Sequence, residues 1–385
     1  MRRSLDQKAI QFSRILPQEV HQLLNILKSH NKESLVIGGA VRDFFFGVPI
    51  GDFDLATSAV PSQLIQWFQD SNVKTKSIGG EFGTVLAIIG KKAFDVSTFR
   101  REHFPAPGKP PIVTFVKSLA DDLARRDFTI NALVYDDADK KIFDPYDGLR
   151  DIRERVIHII GDPFIRFLED GLRIIRICRF IAQFNLNPGE AAHRAVYVVG
   201  RQALFRSRTV LRQEFFKLLK LPQPERGLRL LYDAGVLKAI FPSIPIISPQ
   251  NNQDSLTAVF ENLKDIPARQ PLIRLFSFLI TGIISEDNSF HAWRRYQKKI
   301  TQDLNLNLRQ QQVLTRLVEG WFNLPNFEVE REVRQWIRKT GLNTSEDLLP
   351  TLFLLSETLG NNNLSKDRES IRKSVIRTIS SLRGL

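Results

Sequence analysis

The stretch GGAVRDFFFGVPIGDFDLAT, residues 38–57, joins a pair of glycines to two aspartates that a single residue separates. Residues 35–37 form a short β-type run that ends at the glycines, and helical spacing follows them. The run DFDLA then predicts a second strand. Because residues i and i+2 of a strand face the same way, we expect the carboxylates of Asp52 and Asp54 to project together.

Two carboxylates this close repel each other, and a divalent cation with its preference for hard oxygen ligands would relieve that repulsion. D-x-D alone is a weak signal, but the apolar neighbours of Asp52 and Asp54 argue against a solvated turn. Asp95, in the later β-type run AFDVSTF (93–99), could complete the cluster from a neighbouring strand. Two Mg²⁺ ions held in this way can activate an attacking hydroxyl and stabilise a leaving phosphate oxygen.

The glycine pair offers a second feature. Backbone N–H groups of Gly38 and Gly39, at a strand-to-helix junction, would suit a triphosphate, and Arg42 adds positive charge. The alternative is an ordinary tight turn, which Gly-Gly alone would favour.

The amino-acid composition indicates which kind of partner the protein binds. The 385 residues include 55 Lys and Arg against 42 Asp and Glu, a formal net charge of +13. This balance favours a polyanionic partner, most simply a nucleic acid, over an incidental basic surface. The length predicts roughly two or three domains, and 43% hydrophobic residues suffice for a sizeable core.

Other classes of protein are disfavoured. No apolar run approaches the ~18 residues of a membrane span, and residues 1–16 lack the apolar core of a secretory signal. The one cysteine, Cys178, excludes an internal disulfide and a cysteine-based zinc site, and the six histidines form no HExxH pattern. We therefore expect a cytoplasmic protein with no membrane partner.

The order of patterns predicts an α/β head followed by an all-helical region. Residues 18–29 have helical spacing, Pro61 lies near the first turn of a further helix, and 83–89 and 93–99 form an expected hairpin. β-type signals fade after about residue 149, and 164–184 is strongly helical. The Pro-, Ser- and Asn-rich residues 241–255 are the best linker candidate.

The spacing of the two motifs in residues 38–57 resembles the signature of the class II branch of the DNA polymerase β-type nucleotidyltransferase superfamily. That branch contains the bacterial tRNA nucleotidyltransferases (CCA-, CC- and A-adding enzymes) and the bacterial poly(A) polymerases. The resemblance covers about residues 20–245 and includes FDPYDGLRDI (143–152) and RGLRLLYDAGVLKAIFP (226–242). It implies a polymerase β-like catalytic head (1–148), a helical neck (149–245) and a helical body and tail (246–385).

Residues 122–136, DLARRDFTINALVYD, are similar to the family's RRDF-x-x-NA motif, which is implicated in holding the ribose and phosphates of the nucleotide. The matching positions are Arg125, Arg126 and Asp127, with Asn131 behind them. Adjacent arginines beside an acid are costly to bury unless an anion joins them. The alternative is a network of salt bridges with a purely structural role.

Residues 161–180 resemble the family's EDxxR neck helix. On one continuous helix Glu169, Asp170, Arg173 and Arg176 would share a face opposite an apolar one. The resemblance implies that Asp170 and Arg173 bind the base edge of the incoming nucleotide, as a carboxylate acceptor and a guanidinium donor can. The alternative is an amphipathic helix with an i,i+4 ion pair between Glu169 and Arg173.

Two stretches depart from the family pattern. The loop associated there with adding the terminal adenosine reads RREHFPAPGKPPIVTF here (100–115), with stiffening prolines and without the usual Asp and Arg-Arg-Pro. This raises the prospect of an enzyme that adds only part of the CCA end. In the ERxxxE-like motif, Thr209 and Val210 replace the Glu-Arg pair, whereas Glu214 matches the final acid.

The resemblance thus implies a template-independent enzyme that adds C, A or both to the 3′ end of tRNA from CTP and ATP, with Mg²⁺. The alternatives are a poly(A) polymerase, an inactive RNA-binding paralogue and a small-molecule nucleotidyltransferase, which would not need the long basic body. Two basic clusters, 294–299 and 331–339, are candidates for tRNA backbone contacts, although such clusters are more often solvated helix faces. The sequence does not determine the oligomeric state.

Overall fold

The computed structural model describes residues 2–78, 82–203, 205, 207–244, 260, 263, 266, 271–284, 289–341, 349, 352, 353 and 368–383. Most of the linker candidate at 241–255 therefore lies outside the described residues. The chain divides into a first unit, Met1–Glu169 with Leu186–His193, and a second unit, Asp170–Asn185 with Arg194–Leu385. The first unit contains the mixed sheet and the second is helical, so the expected order of an α/β part and a helical part is confirmed.

In the described ranges of the chain, the strands all precede residue 189. They are β1 (Ser34–Ile37), β2 (Asp54–Thr57), β3 (Lys74–Ile78), β4 (Thr84–Ile89), β5 (Lys92–Thr98), β6 (Arg100–His103), β7 (Ile112–Phe115), β8 (Val134–Asp136), β9 (Lys141–Phe143), β10 (Val156–Ile157) and β11 (Asn187–Pro188).

Helices alternate with the strands along the first part of the chain and continue after the last strand. They are α1 (Arg2–Ile15), α2 (Gln18–Ser29), α3 (Gly39–Phe46), α4 (Pro61–Asp70), α5 (Leu119–Ala124), α6 (Gly148–Glu154), α7 (Pro163–Glu169), α8 (Leu172–Phe184), α9 (Glu190–Val199), α10 (Arg208–Leu219), α11 (Glu225–Asp233), α12 (Val236–Ile240), α13 (Pro271–Ile284), α14 (Phe290–Leu304), α15 (Leu308–Phe322), α16 (Glu330–Thr340) and α17 (Arg368–Arg383).

Seven strands form the main sheet in the order β3-β4-β5-β2-β1-β8-β9. β1 pairs antiparallel with β2 and β8, whereas β2 and β5 run parallel. Apolar residues from these strands are buried together with residues from the segments that follow, in one cluster. The cluster comprises Leu35, Ile37, Ala56, Phe99, Leu123, Ala132, Val134 and Ile160.

Several local predictions are confirmed. The stripe Val20, Leu23, Leu24 and Leu27 of α2 is buried, as the helical spacing requires. α4 begins at Pro61, where the missing N–H is harmless. β4 and β5 form the expected antiparallel hairpin, in which Gly90 supplies a positive φ of 61°.

The prediction of one helix over 164–184 is wrong. α7 ends at Glu169 and α8 begins at Leu172. Asp170 and Gly171 lie in the turn between the two helices, where the Asp170 carboxylate accepts a hydrogen bond from the Leu172 N–H (3.1 Å). Among the described residues, no helix is both long enough and apolar enough to cross a membrane.

Candidate active site

The turn between β1 and α3 has a backbone conformation that only glycine adopts easily. Gly38 has φ 74° and ψ −118°, and a Cβ there would lie 3.2 Å from Nη1 of Arg126 and 3.4 Å from the Asn131 carbonyl oxygen. Its N–H donates to the Leu133 carbonyl (3.0 Å), so it is not available to a triphosphate as the sequence had suggested. Gly38 instead permits close approach of the arginine.

The acids lie directly beside this turn. Ile37 of β1 pairs with Asp54, the first residue of β2, and the adjacent parallel pair Leu55 and Val96 makes Asp95 the neighbour of Asp54 on β5. The prediction that Asp52 shares the strand is wrong. β1 ends where Gly38 turns the chain into α3, so Asp52, in the preceding coil, has no ladder partner there.

The charges around Asp54 link this turn to the acids. Water reaches its carboxylate, yet much of the volume around it is protein, and the resulting desolvation with the charges of Asp95 and Asp52 raises its pKa to about 6. The positive charges of Arg126 and Arg42 act in the opposite direction. Desolvation and the charge of Asp52 also raise the pKa of Asp95. Three acids and two arginines therefore share one electrostatic environment.

Whether the acids fit a divalent cation is a question of donor chemistry. Carboxylate oxygens are suitable ligands, and their mutual repulsion is what a cation would neutralise. Within the described part of the chain, however, no group of three or more His, Cys, Asp or Glu side chains is arranged to hold a metal ion. The acids thus provide suitable donors but not a closed ligand set.

A chain of hydrogen bonds positions Arg42. Its Nε donates to Asp43 (2.8 Å) and its Nη1 to Oδ1 of Asn131 (2.6 Å). The amide nitrogen of Asn131 donates in turn to Asp127 (2.9 Å). Residues from α3 and from the RRDF-like motif are thereby joined, although 89 positions separate Arg42 and Asn131. Arg42, Asp127 and Asn131 are thus brought together.

The two arginines of the RRDF-like motif differ in their surroundings. Arg125 is paired with Asp122 (2.6 Å) and Glu102 (3.1 Å), as the salt-bridge alternative proposed. Arg126 also contacts Asp122 (3.2 Å), but its buried Nε has no hydrogen-bond partner among the described residues. Because a buried guanidinium nitrogen without a partner is costly, Arg126 is the arginine that has capacity left for an anion.

Asp122 is a residue at this site that the sequence analysis did not identify. It is 1% exposed, and its burial opposes ionisation, but the charges of Arg126 and Arg125 outweigh burial and lower its pKa. It lies three and four residues before the two arginines at the end of α5, a helical spacing that could have identified it. Arg166 completes this support by donating to the carbonyls of Arg125 (2.5 Å) and Arg126 (2.9 Å).

The predicted base-recognition residues belong to the second unit. Asp170 and Arg173, 8% and 6% exposed, lie at the start of α8, and Arg176 follows one turn later. The apolar side of α8 is buried. Glu169, at the end of α7, pairs with Arg166 (2.9 Å).

The two departures from the family pattern have definite structures. Residues 100–115 form an antiparallel hairpin of β6 and β7, with the prolines in its connection. At the start of α10, Ser207 caps the helix and Thr209 accepts a hydrogen bond from Asn305 (2.8 Å). Glu214, the acid that matches the motif, pairs with Arg179 of α8 (3.1 Å). The helix is therefore anchored without the missing Glu-Arg pair.

The fold and the site define a class, and comparison with known proteins supports it. A family model described as "Poly A polymerase head domain" matches residues 34–158, and one described as "Probable RNA and SrmB- binding site of polymerase A" matches 211–247. The first unit thus contains the head domain of a nucleotidyltransferase.

Similar proteins extend the match. A CCA-adding enzyme of Geobacillus sp. strain WCH70 is 38% identical over 61% of this chain and 56% of its own length. A CCA-adding enzyme of Streptococcus suis is 33% identical, and the match covers 79% of this chain and 75% of the length of that enzyme. A crystal structure of the Bacillus stearothermophilus CCA-adding enzyme in complex with CTP aligns with a TM-score of 0.69 and 25% identity, over 95% of this chain and 82% of that one.

The chain therefore belongs to the family of class II tRNA nucleotidyltransferases and bacterial poly(A) polymerases. It spans little more than half the length of the Geobacillus relative that it matches.

Proposed function

We propose that this protein transfers nucleotides from CTP and ATP to the 3′ end of tRNA, without a template, and releases pyrophosphate. The observation that carries the proposal is the meeting of Asp54, Asp95 and Asp52 with Arg42 and Arg126 beside the turn at Gly38. Acids beside arginines suit a reaction in which an RNA hydroxyl attacks a triphosphate. The CCA-adding relatives favour tRNA as the RNA.

Each group has a distinct part in this mechanism. Arg126, with its unused Nε, and Arg42, held by Asp43 and Asn131, bind the triphosphate. Asp122 and Arg125 hold Arg126 in position rather than contact the substrate. Mg²⁺ bound by Asp52 and Asp54 would supply Lewis-acid stabilisation of charge on the phosphate oxygens. Asp95 lies beside Asp54 as a third oxygen donor.

Asp170 and Arg173 are proposed to select the base. A carboxylate accepts hydrogen bonds from exocyclic amino groups, and a guanidinium donates to ring nitrogens and carbonyl oxygens. The Asp170 carboxylate also accepts a hydrogen bond from the Leu172 N–H, which gives it a defined direction. Selecting a base requires side chains with fixed positions. Asp170 and Arg173 are both buried, which restricts their movement.

The rival within the family is a poly(A) polymerase, favoured by the name of the head-domain model. Purified protein is incubated with tRNA that lacks CCA, ends after one C or ends after both, with CTP and ATP supplied singly and together. Limited addition of C and then A supports the proposal, whereas long tails from ATP alone support the rival. Addition of only the C residues or only A would assign a partial activity to the chain with the altered 100–115 hairpin. No incorporation from any nucleotide would support the inactive paralogue.

The proposed site of action is the cytoplasm. The tRNA and nucleoside triphosphates are found there, and Cys178 is a buried free thiol that suits a reducing compartment.

A further inference from the structure

A pocket of about 710 Å³ in the second unit lies between α14, α15, the α15–α16 connection and α16. Its lining brings together the two basic clusters singled out in the sequence, because Arg294 comes from 294–299 and Lys339 from 331–339. It is large enough for a nucleotide, since ligand pockets commonly measure about 300–1,000 Å³.

The pocket combines flat surfaces with fixed polar groups. Trp336 is buried and its indole N–H donates to the Gly320 carbonyl (2.9 Å), so the ring is held in one orientation. Phe290 packs edge-on against Phe322 (5.7 Å between centroids), and the guanidinium of Arg294 lies over the Phe290 ring (5.2 Å). Aromatic and guanidinium planes are the surfaces on which unpaired bases stack.

Polar side chains at the rim can bind the edge of a base. Asn323 and Gln335 offer amide donors and acceptors, and Glu319 and Glu332 offer carboxylate acceptors. Glu332 accepts a hydrogen bond from the backbone N–H of Asn326 (2.9 Å), which orients its carboxylate, and Glu319 lies 3.9 Å from Arg294. Acceptors of this kind match the amino groups of bases and would repel a ligand that is only a phosphate.

The surrounding charge favours a polyanion. α14 carries four Lys or Arg residues and one acid, and α15 carries two and one. α16 carries four Lys or Arg residues and two acids. Arg338 and Lys339 also lie in the last turn of α16. A base would therefore enter a pocket whose outer surface attracts the phosphates on either side of it.

We propose that this pocket binds one unstacked nucleotide of the RNA substrate, at a point on that RNA other than its 3′ end. The base stacks in the pocket against Phe290, with the buried Trp336 beneath it, the amides and acids bind its edge, and Arg294 and Lys339 bind the adjoining phosphates. That the ligand is RNA rests on the proposed function; a free mononucleotide shares the same chemistry and is the other source to test.

The test fills the pocket without changing charge. Gln335→Trp adds an aromatic ring at an exposed lining position, and Gln312→Trp adds the same ring at an exposed position of α15 outside the pocket. Affinity for tRNA is measured by filter binding over a range of salt. Because stacking of one base contributes about 1–3 kcal/mol, Gln335→Trp should weaken binding at least about fivefold. The salt dependence should stay unchanged because no cation is removed.

The proposal is overturned if Gln335→Trp binds tRNA within about twofold of the unaltered protein, or if both variants weaken binding equally. It is also overturned if Gln335→Trp abolishes binding of AMP, GMP, CMP or UMP while leaving tRNA affinity intact, since the ligand would then be a free nucleotide.

Crosslinking of the unaltered protein to RNA tests the proposal even if the Gln335→Trp variant fails to fold. With tRNA that carries 4-thiouridine, crosslinked peptides should contain Phe290, Gln335 or Trp336, and crosslinks confined to other peptides would contradict the pocket. The incorporation assay separates this result from the proposed function, because an RNA can occupy the pocket whether or not its 3′ end is extended.

Discussion

At the scale of single residues, Asp54 shows a conflict between stability and the proposed chemistry. Desolvation and two neighbouring acids raise the pKa of Asp54 to about 6, so ionising it costs more free energy in the folded protein than in the unfolded chain. A side chain kept at a cost to stability is a candidate for function. In contrast, the pKa of Asp122 is lowered because two arginines outweigh its burial, which is how a structural acid behaves.

Asp54→Asn should therefore raise the melting temperature of the metal-free protein at pH 7.5. The ordinary pKa of 3.8 applies to the unfolded chain, so the carboxylate begins to destabilise the fold above that pH, and its full effect is present above about pH 6. Near pH 4 the gain should vanish. Thermal melts at both pH values check this, and a lower melting temperature of Asp54→Asn at pH 7.5 would contradict it.

Mg²⁺ provides the paired measurement. If the cation neutralises the acids, it should raise the melting temperature of the unaltered protein and have much less effect on Asp54→Asn. An equal Mg²⁺ response in the two proteins would place the cation elsewhere.

Gly38→Ala should damage the site, whereas Gly39→Ala should not. Gly38 has a φ of 74°, and a Cβ would press on Arg126 at 3.2 Å; at Gly39 φ is ordinary and the nearest contact is a comfortable 3.6 Å. We expect Gly38→Ala to lower the free energy of unfolding by about 1–3 kcal/mol and to raise the KM for nucleotide. Denaturant unfolding and steady-state kinetics measure the two effects, and equal behaviour of the two variants would refute this account of the turn.

At the scale of elements, local pattern predicted some features and tertiary contacts decided others. The hairpin of β4 and β5 was predictable because alternation and a glycine turn lie next to each other in sequence. The break between α7 and α8 was not, because Asp170 and Gly171 read equally well as residues inside one helix or as a turn between two helices. Likewise, composition suggested a stiff loop at 100–115, but backbone pairing makes its ends the strands β6 and β7.

The ion pair between Arg179 of α8 and Glu214 of α10 can be tested by substitution. Glu214 is largely buried against Arg179, so Glu214→Gln should lower the free energy of unfolding at pH 7 by about 3 kcal/mol. Lys217 also pairs with Glu214 but is exposed, and Lys217→Gln should cost less than about 1 kcal/mol. Urea denaturation compares the two, and equal losses would show that burial does not govern this pair.

The pH dependence of that loss has a definite sign. Burial opposes ionisation of Glu214, but Arg179 and Lys217 outweigh it and lower its pKa below the ordinary 4.5. The ion pair therefore stabilises the fold above about pH 4.5, and its contribution disappears as pH falls through the lowered pKa. The difference between Glu214→Gln and the unaltered protein should shrink accordingly in acid, and a difference that grows would contradict the assignment.

At the scale of the whole molecule, the sequence predicted the mixed sheet, the helical remainder and the family. Most of the candidate site could be proposed from sequence because its motifs are contiguous, as in residues 38–57 and 125–131. The sequence could not show that Arg125 is held in salt bridges whereas Arg126 keeps a nitrogen without a partner in the described part of the chain. That difference depends on Glu102, which reaches Arg125 from 23 positions away across the fold. The pocket around Trp336 was also hidden, because each of its two basic clusters alone resembles a solvated helix face.

The most direct test of the central claim is incorporation on tRNA lacking CCA by the unaltered protein, Asp54→Asn and Asp70→Asn. Asp70 is an exposed acid at the end of α4 and serves as a matched control. We predict that Asp54→Asn slows transfer at least about a hundredfold, since electrostatic stabilisation of phosphate oxygens contributes several kcal/mol. Asp70→Asn should act at the normal rate. Transfer by Asp54→Asn at the rate of the unaltered protein would contradict the account.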